Sequence, residues 1–117
     1  MSKKIAICST GSAPSSMMDE RFGRCRYFMI WDPKARRYET LPNSGTESAH
    51  GAGTGAVQEL VQREVGIVIA QRVGPKALTA IQQAGIKVFT DVADKTVDEA
   101  RQRYETDQLP ELPALNN

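Results

Sequence analysis

Soft metal ligands are scarce in this 117-residue chain, in which Cys8, Cys25 and His50 are the only cysteines and the only histidine. One copy therefore cannot close a zinc site with four thiolates, or with paired thiolates and imidazoles, and cannot hold a four-thiolate iron-sulfur cluster. Long apolar runs are lacking too: none approaches the roughly 20 residues that span a bilayer. The stretch Ile5-Ala6-Ile7-Cys8 is too short for a signal peptide, and two cysteines without an export signal point to reduced thiols and a cytoplasmic protein with no membrane partner. An excess of one charge is missing as well. Fifteen Lys and Arg against fourteen Asp and Glu give +1, so nothing in the total argues for nucleic acid as a partner.

What is present reads as one soluble domain. The chain is 40% hydrophobic and 25% charged, which is ordinary for a globular fold. A single α/β domain is expected over 1–106, followed by a frayed tail over 107–117 that holds two prolines and ends in two asparagines. The neutral total hides an asymmetry: residues 1–90 carry twelve basic and seven acidic side chains, whereas 91–117 carry three and seven. The body is mildly basic and the end acidic.

Periodicity orders the elements. Lys4 to Cys8 alternates and predicts a first strand, Tyr27 to Trp31 a second and Arg37 to Leu41 a third, the last two joined by the turn Asp32-Pro33-Lys34-Ala35. Thr54 to Glu64 has helical spacing, Gly66 to Ala70 reads as a buried strand, and Pro75 opens a helix with Ala77, Leu78, Ile81 and Ala84 on one side, stopped by Gly85. Ile86 to Phe89 is a further strand. Thr96-Val97-Asp98-Glu99 fits a capping box for a last helix in which Val97, Ala100 and Tyr104 share a face. The order βββαβαβα predicts a five-stranded mixed sheet, 3-2-1-4-5, with about three helices. Loops 9–25, 42–54, 71–75 and 90–95 then emerge at one end, where open α/β sheets bind ligands.

Three of these loops carry chemistry. Arg21-Phe22-Gly23-Arg24-Cys25-Arg26 sets three guanidiniums around one thiol, and cationic neighbours favour the thiolate, the form that binds metal or attacks an electrophile. A solvated arginine stretch with Cys25 filling space is the plainer alternative. Ser48-Ala49-His50-Gly51-Ala52-Gly53-Thr54-Gly55 alternates glycines just before a helix, so the backbone can approach a ligand and free N–H groups face it, with His50 at the threshold as a candidate ligand. Gln71-Arg72-Val73-Gly74-Pro75-Lys76 places cations at another helix start, and Arg24, Arg72 and Lys76 with two helix N-termini make an anion receptor. Enzyme signatures fail in turn. Gly55 is followed by Ala56 rather than Lys-Ser/Thr, no acidic ribose partner is in place, no arginine closes the loop after Cys8, and no serine has a strained elbow. Cys8 is expected to be core.

Taken together, Ile5-Ala6-Ile7, Arg21-Phe22-Gly23-Arg24-Cys25, His50-Gly51-Ala52-Gly53, Val73-Gly74-Pro75-Lys76-Ala77 and Ala84-Gly85-Ile86-Lys87-Val88 resemble the dinitrogenase iron-molybdenum cofactor biosynthesis family over roughly residues 3–104. That family includes nitrogenase cofactor carriers, the C-terminal domain of NifB and the molybdenum-copper orange protein. The resemblance implies a ribonuclease H-like fold used as a scaffold, without nuclease carboxylates, that holds or delivers a metal-sulfur cluster, iron-molybdenum-sulfur or molybdenum-copper-sulfur. It implies His50 as a ligand, with Cys25 as an additional thiol. The site then comprises Arg24, Cys25, His50, Gly51, Gly53 and Arg72, the metal ligands being His50 and Cys25. Implied partners are cluster-donor and cluster-acceptor proteins, the chain itself being a monomer or weak homodimer. An enzyme acting on an anionic or phosphorylated substrate and a protein-binding adaptor are the other classes compatible with a basic, glycine-rich face.

Overall fold

The computed structural model describes residues 3–43 and 52–112. Five strands and three helices follow the predicted order: β1 (Lys4–Ser9), β2 (Tyr27–Asp32), β3 (Arg37–Pro42), α1 (Ala52–Gln62), β4 (Val65–Ile69), α2 (Pro75–Gln83), β5 (Lys87–Phe89) and α3 (Val97–Glu105). The sheet order is β3-β2-β1-β4-β5. β1, β2 and β3 form an antiparallel meander, with Ile7 opposite Met29 and Met29 opposite Thr40, and β4 lies parallel to both β1 and β5. Because side chains alternate along a strand, β1 feeds two cores. Ala6 and Cys8 join Phe28, Ile30, Val68 and Val88 under the α1/α2 layer, which contributes Val57, Leu60, Leu78 and Ile81. Ile5 and Ile7 face the other way, with Met29, Trp31, Ile69 and the α3 residues Val97 and Ala100.

Element ends differ from the periodicity where local backbone chemistry takes over. α1 starts at Ala52 and stops at Gln62, before the predicted Glu64, because Glu64 takes the left-handed conformation (φ 65°) and reverses the chain into β4. β5 loses Ile86 to the end of α2. There the Ile86 N–H donates to the Ile81 carbonyl and the Gly85 N–H to that of Gln82, a Schellman closure with Gly85 at φ 80°. A Cβ at Gly85 would meet nothing within 4 Å, so Gly85→Ala carries left-handed strain without a clash. It should lower stability by about 1 kcal/mol, seen as a lower urea midpoint at unchanged slope.

The capping box forms as expected, with Thr96 Oγ1 accepting from the Glu99 N–H and Glu99 Oε1 accepting from the Thr96 N–H. The segment expected to fray is packed as far as Leu112. Leu109 is buried, the Thr90 N–H donates to the Pro110 carbonyl at 3.1 Å, and the Leu112 N–H donates to that of Val88 at 2.8 Å. This strip covers the outer edge of β5, whose backbone groups would otherwise be unpaired. Residues 113–117 lie outside those described.

Candidate functional site

At the end of the sheet where β1, β4 and β5 terminate, backbone hydrogen bonds tie the loops to one another. The Arg72 N–H donates to the Glu20 carbonyl at 2.7 Å, and the Phe22 N–H donates back to the Arg72 carbonyl at 2.9 Å, so the arginine loop and the loop after β4 run side by side. The Met18 N–H reaches the Lys95 carbonyl and the Val97 N–H the Ser16 carbonyl, joining the first loop to the start of α3. Gln71 completes the connection by accepting from the Val92 N–H through Oε1 at 2.8 Å. Arg24 and Arg72, 48 positions apart in sequence, are thereby brought to one end of the sheet.

Phe22 anchors the arginines. Its ring is buried against Phe28, with centroids 5.4 Å apart, and Gly23 at φ 84° allows the chain to turn so that the Arg24 N–H donates to the Arg21 carbonyl. Arg21, Arg24, Arg26 and Arg72 are all exposed at this end, and Lys76 at the start of α2 is exposed as well. Cys25 is not among them. The chain alternates as it approaches β2, so Arg24 and Arg26 point outward while Cys25, between them, has no exposed surface. The guanidinium-flanked thiol that the linear sequence predicts is therefore corrected: the arginines adjoin Cys25 in sequence but leave it on the inner side. Its neighbours are Cys8 and Asn43, whose Nδ2 approaches the Cys25 sulfur at 3.9 Å. Cys8 is buried as expected, and burial, reinforced by Cys25, pushes its thiol well up.

Asn43 is the residue of this region that the sequence does not announce. Buried at the end of β3, it donates through Nδ2 to the carbonyls of Gly23 (3.1 Å) and Cys25 (3.0 Å), and its own N–H donates to the carbonyl of Arg26 (3.0 Å). One amide side chain thus sets the shape of the arginine loop. An Asn after Pro42 is an ordinary turn signal, and nothing local identifies partners 17–20 residues upstream.

Of the glycine-rich loop, His50 and Gly51 lie outside the described residues, and Gly53 is the second residue of α1. Neither α1 nor α2 has an acidic residue in its first turn, and the N-cap of α2, Gly74, offers no side-chain acceptor. α3 differs, because Asp98 and Glu99 occupy its first turn. A negative ligand is accordingly favoured at the first two helix starts and opposed at the third. Among the described residues, no group of three or more His, Cys, Asp and Glu converges to hold a bare metal ion. No helix there is long and apolar enough to cross a membrane. A groove between α1 and α2, lined by Val57, Val61, Ala80 and Gln83, has no charged lining residue and so offers nothing to an anion.

Comparison with known proteins places this geometry. The sequence matches the family described as dinitrogenase iron-molybdenum cofactor over residues 1–107. It is similar to an uncharacterized protein of Methanocaldococcus jannaschii, 31% identical over 78 residues that make up 64% of this chain and 66% of that one, so the match spans just under two thirds of the relative. The fold matches the apo form of the orange protein from Desulfovibrio gigas with a TM-score of 0.93 and 35% identity, covering 100% of this chain and 98% of that one. It also matches a Thermotoga protein of the DUF35 family, with a TM-score of 0.86 and 35% identity over 99% and 98% of the two chains. With the family match running over nearly all the described residues and the arginine loop, both helix starts and the sheet order in place, this chain belongs to the dinitrogenase iron-molybdenum cofactor family.

Proposed function

We propose that this chain is a non-catalytic carrier or scaffold for an anionic metal-sulfur cluster, of the iron-molybdenum-sulfur or molybdenum-copper-sulfur class, which it takes from a donor protein and passes to an acceptor in the cytoplasm. The observation that carries the proposal is the convergence of exposed Arg24 and Arg72 on the end of the sheet from which α1 and α2 start without acidic first turns. Such clusters are anions whose metals are largely saturated by sulfide, so capture needs positive hydrogen-bond donors and one or two protein ligands rather than a cage. His50 supplies the imidazole and Gly51 and Gly53 let the backbone come close, whereas Cys25, which has no exposed surface, becomes a second soft ligand only when the arginine turn opens. Few metal bonds also make release to an acceptor easier.

The test is anaerobic reconstitution of the full chain with tetrathiomolybdate and copper(I), or with iron, molybdate and sulfide. A charge-transfer band should migrate with the protein on gel filtration. Combining Arg24→Glu with Arg72→Glu should weaken uptake by about tenfold or more, since it replaces two attractions by repulsions, and His50→Ala should shift the band. Unchanged uptake in both variants, each verified as folded by circular dichroism, would show that the site is elsewhere.

A further inference from the structure

The side chain of Gln71 spans the gap between the ends of β4 and β5. These strands are parallel neighbours whose connections leave to opposite faces: α2 packs Ala77, Leu78 and Ile81 on the side of Ala6 and Cys8, while α3 packs Val97 and Ala100 on the side of Ile5 and Ile7. Such a divergence opens a crevice at the carboxyl ends of the strands, the place where open α/β sheets take their ligands. Here Gln71 staples it. Its Oε1 accepts from the Val92 N–H at 2.8 Å and its backbone carbonyl accepts from Thr90 Oγ1 at 3.1 Å, just beyond the bond from the Ala70 N–H to the Phe89 carbonyl. The next residue is Arg72, whose side chain is exposed at this end of the sheet.

We propose that Gln71 is the positioning residue of the anion-capturing face: by fixing the loop after β4 to the loop after β5, it fixes where Arg72 presents its guanidinium. The role in capture rests on the carrier reading, whereas the staple itself does not. The N–H and carbonyl of Arg72 both bond to the arginine loop, to Glu20 and Phe22, so the β5 side of the crevice is reached through Gln71. Val92 has no exposed surface, and its N–H therefore has no ready substitute for Oε1. A neutral acceptor holds the loop without lowering the positive potential at Arg72, which a carboxylate in its place would do. Holding the guanidinium in place before the cargo arrives lowers the ordering cost of capture.

Amide hydrogen exchange on the metal-free full chain tests the staple without cargo. Gln71→Met keeps the length and removes the acceptor, and should speed exchange at Val92, Arg72 and Phe22 by about tenfold. Gln71→Glu keeps an acceptor at the same reach and should return those rates to the parent values. Uptake of tetrathiomolybdate with copper(I) is then titrated into the parent chain, Gln71→Met, Arg72→Gln and the double variant, each verified as folded by circular dichroism. Either single substitution should weaken uptake about fivefold, the order of one exposed charged contact. The double variant should be no weaker than either alone, because a mispositioned guanidinium and an absent one are the same loss. A merely structural role would instead make the two losses multiply. That result, full uptake by Gln71→Met, or unchanged exchange at Val92 and Arg72 would overturn the inference. Absence of uptake by the parent chain overturns the carrier reading and the capture role with it, while faster exchange in Gln71→Met still establishes the staple.

Discussion

Replacing Asn43 by aspartate should cost about 4 kcal/mol, among the largest penalties any single polar substitution would bring in this domain. The amide nitrogen donates to two carbonyls, those of Gly23 and Cys25, in a place where neither partner residue has appreciable exposure. In Asn43→Asp both carbonyls lose their donor and face a carboxylate oxygen instead. Each orphaned buried acceptor costs about 1–3 kcal/mol, and burial of the new charge adds to that. Against a total stability of roughly 6–18 kcal/mol for a domain of this length, the loss is severe. Asn43→Ala removes the donors without adding charge and should cost about half as much. The pH dependence separates the two. The introduced carboxyl prefers its protonated form in the fold, so its folded pKa is raised, and the penalty relative to the parent chain grows as pH rises above about 4 and shrinks below it. Urea midpoints of the three chains at pH 4 and pH 7 would check this, with a pH-independent deficit in Asn43→Asp contradicting the assignment.

Asn43 also marks where sequence periodicity stops being informative. The strands and helices are legible because alternation and 3.6-residue stripes are local, and Gly85 and the Thr96/Glu99 box are legible because caps are made by near neighbours. Long-range polar contacts have no such signature. The Arg24-Cys25-Arg26 triplet is instructive, since adjacency suggests an electropositive thiol, while the strand-like alternation that places the arginines outside is what sends the thiol inward. Leu109 and Leu112 were equally opaque: two isolated leucines among prolines have no period, and only the uncovered edge of β5 explains their packing.

Arg101→Ala should cost about 3 kcal/mol, although a charged residue on a short helix ordinarily reads as solvated. Arg101 is only 8% exposed. Its guanidinium lies 4.1 Å from the centre of the Trp31 ring, and Nε donates to the Tyr38 hydroxyl at 2.9 Å. Its two terminal nitrogens donate to Asp98 (2.9 Å) and Glu105 (2.6 Å), so one side chain roofs the aromatic end of the second core and ties α3 to β2 and β3. Truncation loses a desolvated cation–π contact of about 2 kcal/mol and charge-assisted hydrogen bonds, offset because Asp98 and Glu105 are partly exposed and can be rehydrated. Asp98 gives the sign of the pH effect. Burial raises its pKa, but hydrogen bonds from Tyr38, Arg101 and Gln102 outweigh burial and hold the carboxyl below its ordinary 3.8. A lowered folded pKa means the contribution is fully present above the ordinary value and is lost as pH falls through the folded one. The difference between the parent chain and Arg101→Ala should therefore be greatest near neutrality and narrow below pH 3.8. Arg101→Lys keeps the charge but loses the planar fork and the stacking surface, and should recover less than half of the deficit. Recovery of the full stability by lysine would mean that charge alone, and not the stacked guanidinium, holds α3 to the sheet.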